Sequence, residues 1–194
     1  MSSERLPLFP LHTVLFPGGV LPLRIFEPRY LDMVSDCLRH DSGFGVCLIR
    51  AGREVGAPAE TFDVGTLARI QDWDKTPAGL LAITARGERR FRIVAREVRA
   101  DRLTLADIEL LDEPPRAALP LQHAPLARLL EHLLDDLDPP YKDLPRALDD
   151  ADWVGARLTE LLPIDMREKQ VLLEQGDPLL RLTSLAARLG RQIH

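Results

Sequence analysis

The chain has 194 residues, of which 45% are hydrophobic and 28% charged, and its formal net charge is -5. At this length folding buries roughly 70% of the unfolded chain's surface, so one compact domain, or a domain with a smaller appendage, forms a core without staples. A negative balance argues against nucleic-acid or anionic-membrane partners, which call for a basic field.

The only cysteines, Cys37 and Cys47, lie in the apolar settings "SDCLRH" and "GVCLIR". They read as buried free thiols of a reducing compartment. The start "MSSERLPLF" has no basic region leading into a long apolar core, so no signal peptide is expected. No stretch approaches the ~20 apolar residues that span a bilayer. A cytoplasmic protein, monomeric or weakly dimeric, is the expectation.

The first third is punctuated by Pro7, Pro10, Pro17, Pro22 and Pro28. Proline lacks a donor and fixes φ, so short edge strands and tight corners are expected there, with no central strand. "FPGG" (16–19) turns the chain, and Pro28 suits the first turn of a helix. Tyr30, Leu31, Val34, Cys37 and Leu38 give that helix one buried stripe, and "HDSG" (40–43) stops it.

Strand-like runs follow at 44–50, 64–73, 80–87, 89–98 and 102–111. In "RRFRIV", Phe91 and Ile93 alternate with Arg90 and Arg92, which predicts a half-buried strand with one wet face. Short strands at this spacing point to a closed or nearly closed antiparallel barrel. The linker "DEPPRAALP" (112–120) then marks a boundary between a β-rich part, 1–112, and a helical part, 113–194.

In that second part Leu126, Leu129, Leu130, Leu133, Leu134 and Leu137 make an apolar stripe that stops before Pro139 and Pro140. Asp135, Asp136 and Asp138 stand at the wrong end of that helix for its dipole. A second helix is predicted over 152–162, with Asp149, Asp150 and Asp152 favourably placed near its start. "DMRE" (165–168) reads as a capping box opening a third, which Gly176 ends. Asp177 and Pro178 cap the last.

Chemistry is sparse. The chain has no Gly-Lys pair, hence no phosphate-cradling loop of that type, and no nucleophile elbow or paired-histidine zinc motif. His12, His40, His123, His132 and His194 lack ligand spacing, so no metal and no cofactor is expected. Asp72 with Asp74, and Asp107 with Glu109, read as solvated edge residues without a partner acid or base. Ser35 and Ser184 have no nearby base. Arg86, Arg89, Arg90, Arg92, Arg96, Arg99 and Arg102 form one basic cluster, but only Phe91 is available for stacking, on the inward phase.

"LPLFPLHTVLFPGGVLPLRIFEPRYLDMV" (6–34) resembles the opening of the amino-terminal substrate-binding domain of the ATP-dependent Lon proteases. "FGVCLI", "GREVG", "FDVGTLARI", "GLLAITARGERRFRIV" and "ADIELL" continue the likeness in order, and "ADWVGARLTELLPIDMREKQVLLEQGDPLLRL" extends it more weakly. The resemblance implies an α+β fold, a β-rich pseudobarrel like that of PUA domains followed by a small helical bundle. It also implies recognition of unfolded or extended polypeptide, with a full-length Lon protease as a further partner. The ATPase and Ser-Lys protease domains would begin where this chain stops, so catalysis is not carried over.

The stretch "FEPR" matches positions linked to substrate handling, which makes Glu27 and Arg29, with Arg24 and Tyr30 beside them, a candidate polar rim. Phe16, Phe26 and Trp73 are the candidate apolar surface. The same residues have a purely structural reading, with Glu27 capping the helix at Pro28 and Arg24 or Arg29 pairing with it to fix a corner. The alternative function is a PUA-like small-ligand or RNA-binding face built on Arg90 and Arg92.

Overall fold

A computed structural model describes residues 4–192, which form two compact units that divide between Asp112 and Glu113. The first unit holds seven strands and one helix in the order β1 (Glu4–Leu11), β2 (Val20–Ile25), α1 (Pro28–His40), β3 (Phe44–Ala51), β4 (Glu60–Thr61), β5 (Val64–Lys75), β6 (Leu81–Val98) and β7 (Thr104–Leu110). The second holds a 3-10 turn and four helices, α2 (Ala124–Asp135), α3 (Ala151–Leu161), α4 (Met166–Glu174) and α5 (Pro178–Gln192).

Five strands close a ring in the order β1-β7-β6-β5-β3, and a parallel pairing of β3 with β1 completes it. The remaining pairings are antiparallel, so the one parallel contact departs from the expected all-antiparallel barrel. β1 has neighbours on both sides despite Pro7 and Pro10, contrary to the proline argument. The reason is that its pairing is split, residues 4–7 with β7 and residues 8–11 with β3. Each half therefore bonds along one side, and a missing N–H is tolerated.

The two predicted runs at 80–87 and 89–98 are one strand of 18 residues. Gly87 does not turn the chain. Its missing side chain lets the Phe16 carbonyl approach, and the "FPGG" turn docks there through Gly18 N–H to Gly87 O (2.8 Å) and Gly87 N–H to Gly19 O (2.9 Å). Inside the ring Phe91 is fully buried; a Cβ on Gly65 would come within 2.8 Å of its ring and 2.6 Å of the Cys47 sulfur.

β6 extends past the ring. Its first third, Leu81–Arg86, lies between β2 and the far end of β5 as a three-stranded ribbon. Among the described residues β2 pairs with β6 alone, which leaves its other edge open.

α1 buries Tyr30, Met33, Val34 and Cys37, while Leu31 and Leu38 face outward. The stripe is thus narrower than predicted, with Met33 in place of the two leucines. Asp41, in the left-handed region (φ 48°), ends the helix within the expected "HDSG" stop.

The corner between β2 and α1 is held by charge. Glu27 occupies the N-cap position, but its carboxylate does not cap the helix. It takes the Arg29 guanidinium at 3.0 Å, with both side chains largely buried, and accepts the Gly56 N–H at 3.4 Å. Arg29 also donates to the Arg102 carbonyl at 3.0 Å. This is the corner-fixing role among the readings of the charged set.

In the helical unit Asp150 accepts the N–H groups of Asp152 and Trp153, and Asp177 those of Leu179 and Leu180. Asp165 caps α4, yet Glu168 pairs with Arg188 on α5 and does not reach back, and Gln175 in extended backbone ends α4 before Gly176. Asp135 at the α2 C-terminus is offset by Arg146 at 2.6 Å, which holds its carboxyl below the usual carboxylate range. Leu130, Leu134, Val154, Leu158, Leu182 and Leu185 form the core. Arg181 is buried against Asp152 at 2.5 Å and the carbonyls of Leu172 and Gln175.

Two outcomes follow. Arg29→Ala strands the Glu27 carboxylate in a dry corner and should lower unfolding free energy by about 3 kcal/mol in urea melts; a loss below ~1 kcal/mol would show that the pair does not hold the corner. Burial pushes the Cys47 thiol up to about 12 and raises that of Cys37, so neither should react with a thiol reagent at pH 8 until the chain unfolds. Rapid labelling of the native protein would contradict that packing.

Candidate functional site

The open edge of β2 borders an apolar cleft of about 340 Å³. β1 contributes Phe9 and Leu11, β2 the run from Pro22 to Ile25, the corner Phe26 and Glu27, and α1 Tyr30. The loop between β3 and β4 supplies the last wall, Glu54 and Val55.

Strand alternation explains the arrangement of the β2 side. Ile25 points into the core, so Phe26, the next residue, is turned out and is 55% exposed. Val55, 53% exposed, forms another apolar lip. The cleft wall is anchored by Tyr30, whose ring stacks on Phe9 at 4.2 Å and nearly parallel. Burial raises the Tyr30 hydroxyl's pKa; Arg29, 4.6 Å from the ring centre, opposes this, and the charges of Glu27 and Glu54 add to it.

A second concavity, about 360 Å³, lies on the ribbon and shares Pro22, Leu23 and Arg24 with the cleft. The pairing register sets Arg24, Ala82 and Asp74 in one row and Pro22, Thr84 and Asp72 in the next. Leu23, Ile83 and Trp73 form the intervening row, which faces the other way because Ile83 is core. Trp73, beyond the ring, stays 56% exposed.

Of the candidates from sequence, Arg24, Phe26, Glu27 and Tyr30 come together at the cleft, and Trp73 lies one concavity away. Three need correction. Tyr30 is 5% exposed and stacked on Phe9, so it is a buried wall of the cleft and not part of its polar rim. Phe16 is 1% exposed, because the docked "FPGG" turn buries it, so it is core and not surface. Arg29 is buried behind the corner and spent on Glu27 and Arg102, so it is a clamp and not a rim.

Phe9, Leu11, Glu54 and Val55 are cleft residues that the pattern reading missed. For the last two a signal existed: "GREVG" places them between glycines that both have positive φ, 110° at Gly52 and 94° at Gly56.

The arginine-rich strand is not a continuous cationic face. Arg90 is buried, contrary to the predicted wet face, because the chain leaving β7 folds back over it; Leu111 N–H donates to its carbonyl and its guanidinium donates to the Asp112 carbonyl at 3.2 Å. Arg89 donates to Leu111 O, Arg96 pairs with Asp63 at 2.6 Å and Arg99 with Asp101 at 3.0 Å. Arg92 stays exposed. Among the described residues no group of three or more His, Cys, Asp or Glu side chains is placed to hold a metal ion, and no helix is long and apolar enough to cross a membrane.

Comparison with known proteins places this geometry. A family model described as the ATP-dependent protease La (LON) substrate-binding domain matches residues 5–190. A crystal structure of a Lon N-terminal domain protein from Xanthomonas campestris is 41% identical, covers 95% of this chain and 98% of its own, and superposes with a TM-score of 0.78. The N-terminal domain of a Mycobacterium avium complex Lon protease shares the fold at 19% identity, with a TM-score of 0.59 and coverage of 94% of this chain and 96% of its own. Lon protease 2 of Myxococcus xanthus is 27% identical over 97% of this chain and 24% of its own length. The chain thus spans about a quarter of the curated relatives it matches, 24% of that protein and 23% of the Anaeromyxobacter dehalogenans Lon protease. By these matches, the chain belongs to the ATP-dependent protease La (LON) substrate-binding domain family.

Proposed function

We propose that this chain binds unfolded or extended polypeptide segments at the β2 cleft, without catalysis of its own, as an adaptor or quality-control module of the cytoplasm. A full-length Lon protease is the further partner that the family membership favours. The observation that carries the reading is an apolar cleft lying directly against an open strand edge.

Those two features suit one kind of guest. An extended segment adds to the β2 edge through main-chain hydrogen bonds, which are indifferent to sequence, and alternate side chains enter apolar pockets, which supply selectivity. Phe26 and Val55 are the lips that grip such a side chain, and Phe9, Leu11 and Tyr30 receive it. Arg24 meets the segment on one face of the ribbon, and Trp73, on the opposite face with Leu23 and Ile83, meets side chains that reach across it. Glu27 contributes by shaping the corner. The RNA alternative is not favoured, because Arg90 lies under the chain and the neighbouring arginines serve carbonyls and carboxylates of the fold.

Fluorescence anisotropy with a labelled, permanently unfolded casein-like chain tests the reading. Phe26→Asp should weaken binding about tenfold or more, as loss of an interface anchor does, and Trp73→Ser by a smaller factor. Both side chains are exposed, so thermal melts should not move. Equal affinity for wild type and Phe26→Asp, or no binding across a broad panel of unfolded chains, would remove the proposal.

A further inference from the structure

Every wall of the cleft but one belongs to a strand, a helix or the clamped corner. The exception is the segment Gly52–Gly56, which brings Glu54 and Val55 over the opening. Its ends are glycines in the positive-φ region, 110° at Gly52 and 94° at Gly56. Nothing lies within 4 Å of where a Cβ on Gly56 would stand, so that end has open space on one side.

Two carboxylate-to-amide bonds tie the segment to the cleft's fixed walls. Glu54 accepts the main-chain N–H of His12, just past the end of β1, at 2.6 Å. Glu27, itself held by Arg29, accepts the N–H of Gly56 at 3.4 Å. The first is short and charge-assisted, and its carboxylate travels with the segment; the second is long, and its carboxylate stays with the corner.

We infer that residues 52–56 form a hinged lid over the cleft, latched by Glu54 on the His12 amide, and that Glu54 is a positioning residue setting how fast polypeptide enters and leaves. This rests on the cleft being the polypeptide site. Opening swings Val55 away from the cleft and uncovers Phe9, Leu11 and Tyr30, and closing returns an apolar side chain onto the guest. The latch lies outside the β2 edge, so it alters access more than affinity. Rates of entry and exit should therefore change together.

Hydrogen exchange and stopped-flow binding on Glu54→Gln and Glu54→Ala test this with the intact chain. In the free protein the amides of His12 and Gly56, the two that the carboxylates hold, should exchange faster in the order wild type, Gln, Ala, by about tenfold or more for Ala at His12, the factor expected when a charge-assisted bond is lost. Association and dissociation rates of the labelled casein-like chain should both rise, and the equilibrium constant should move by less than about threefold. Unchanged exchange at His12 and Gly56 would overturn the latch itself. Faster exchange with unaltered binding rates would overturn its gating role. If no variant and no wild-type protein binds the chain, the cleft assignment fails, and the exchange data still decide whether the lid exists.

Discussion

The buried pair of Glu27 and Arg29 is the constraint on which the candidate site depends. Two charges withdrawn from water lose hydration that only close geometry and further hydrogen bonds offset. Here the Arg102 carbonyl and the Gly56 amide supply those bonds. The strand ending at Ile25 therefore passes into α1 at a fixed angle. Phe26 is held outward, Tyr30 is held against Phe9, and one wall of the cleft is set. The charges within "LPLRIFEPRY" are thus answers to a packing problem, and the apolar residues between them are what a guest would touch.

The strand beside that corner faces a physical conflict. An open edge that accepts a guest strand also accepts the wrong one, and proteins blunt such edges with proline and charge. β2 carries both, in Pro22 and Arg24. Pro22 removes one donor from the strand and Arg24 adds a solvated cation, which together disfavour indiscriminate pairing. A guest must then gain from the side-chain cleft what the blunted edge withholds. The long strand β6 stiffens the arrangement, since one continuous element belongs to both the ribbon under β2 and the closed ring.

The α+β character, the strand positions and the α1 start at Pro28 are legible in the sequence because alternation, proline punctuation and helical spacing are local signals. The failures share a cause, which is that tertiary contacts overrode local ones. Pro7 and Pro10 argue against a shared strand, and only the split pairing of β1 makes them harmless. Gly87 closes one of two separate predicted runs and is instead a seat for the Phe16 carbonyl within one strand. Arg90 follows the outward phase but is covered by a segment more than twenty residues later. At the site, Arg24, Phe26, Glu27 and Tyr30 are close in sequence and could be grouped from it. Phe9 and Val55 reach the same cleft from other elements, and no periodicity connects them.

The central claim is that an extended polypeptide lies in the cleft along β2. The most direct measurement is an amide chemical-shift titration of isotope-labelled protein with a short, unlabelled unfolded segment. The account predicts that shifts concentrate on Leu21, Leu23, Arg24, Phe26, Val55 and the amides beside Phe9, and that the helical unit stays still. Shifts centred on Arg92 and its neighbours, or spread over the α4 and α5 surface with β2 silent, would contradict it.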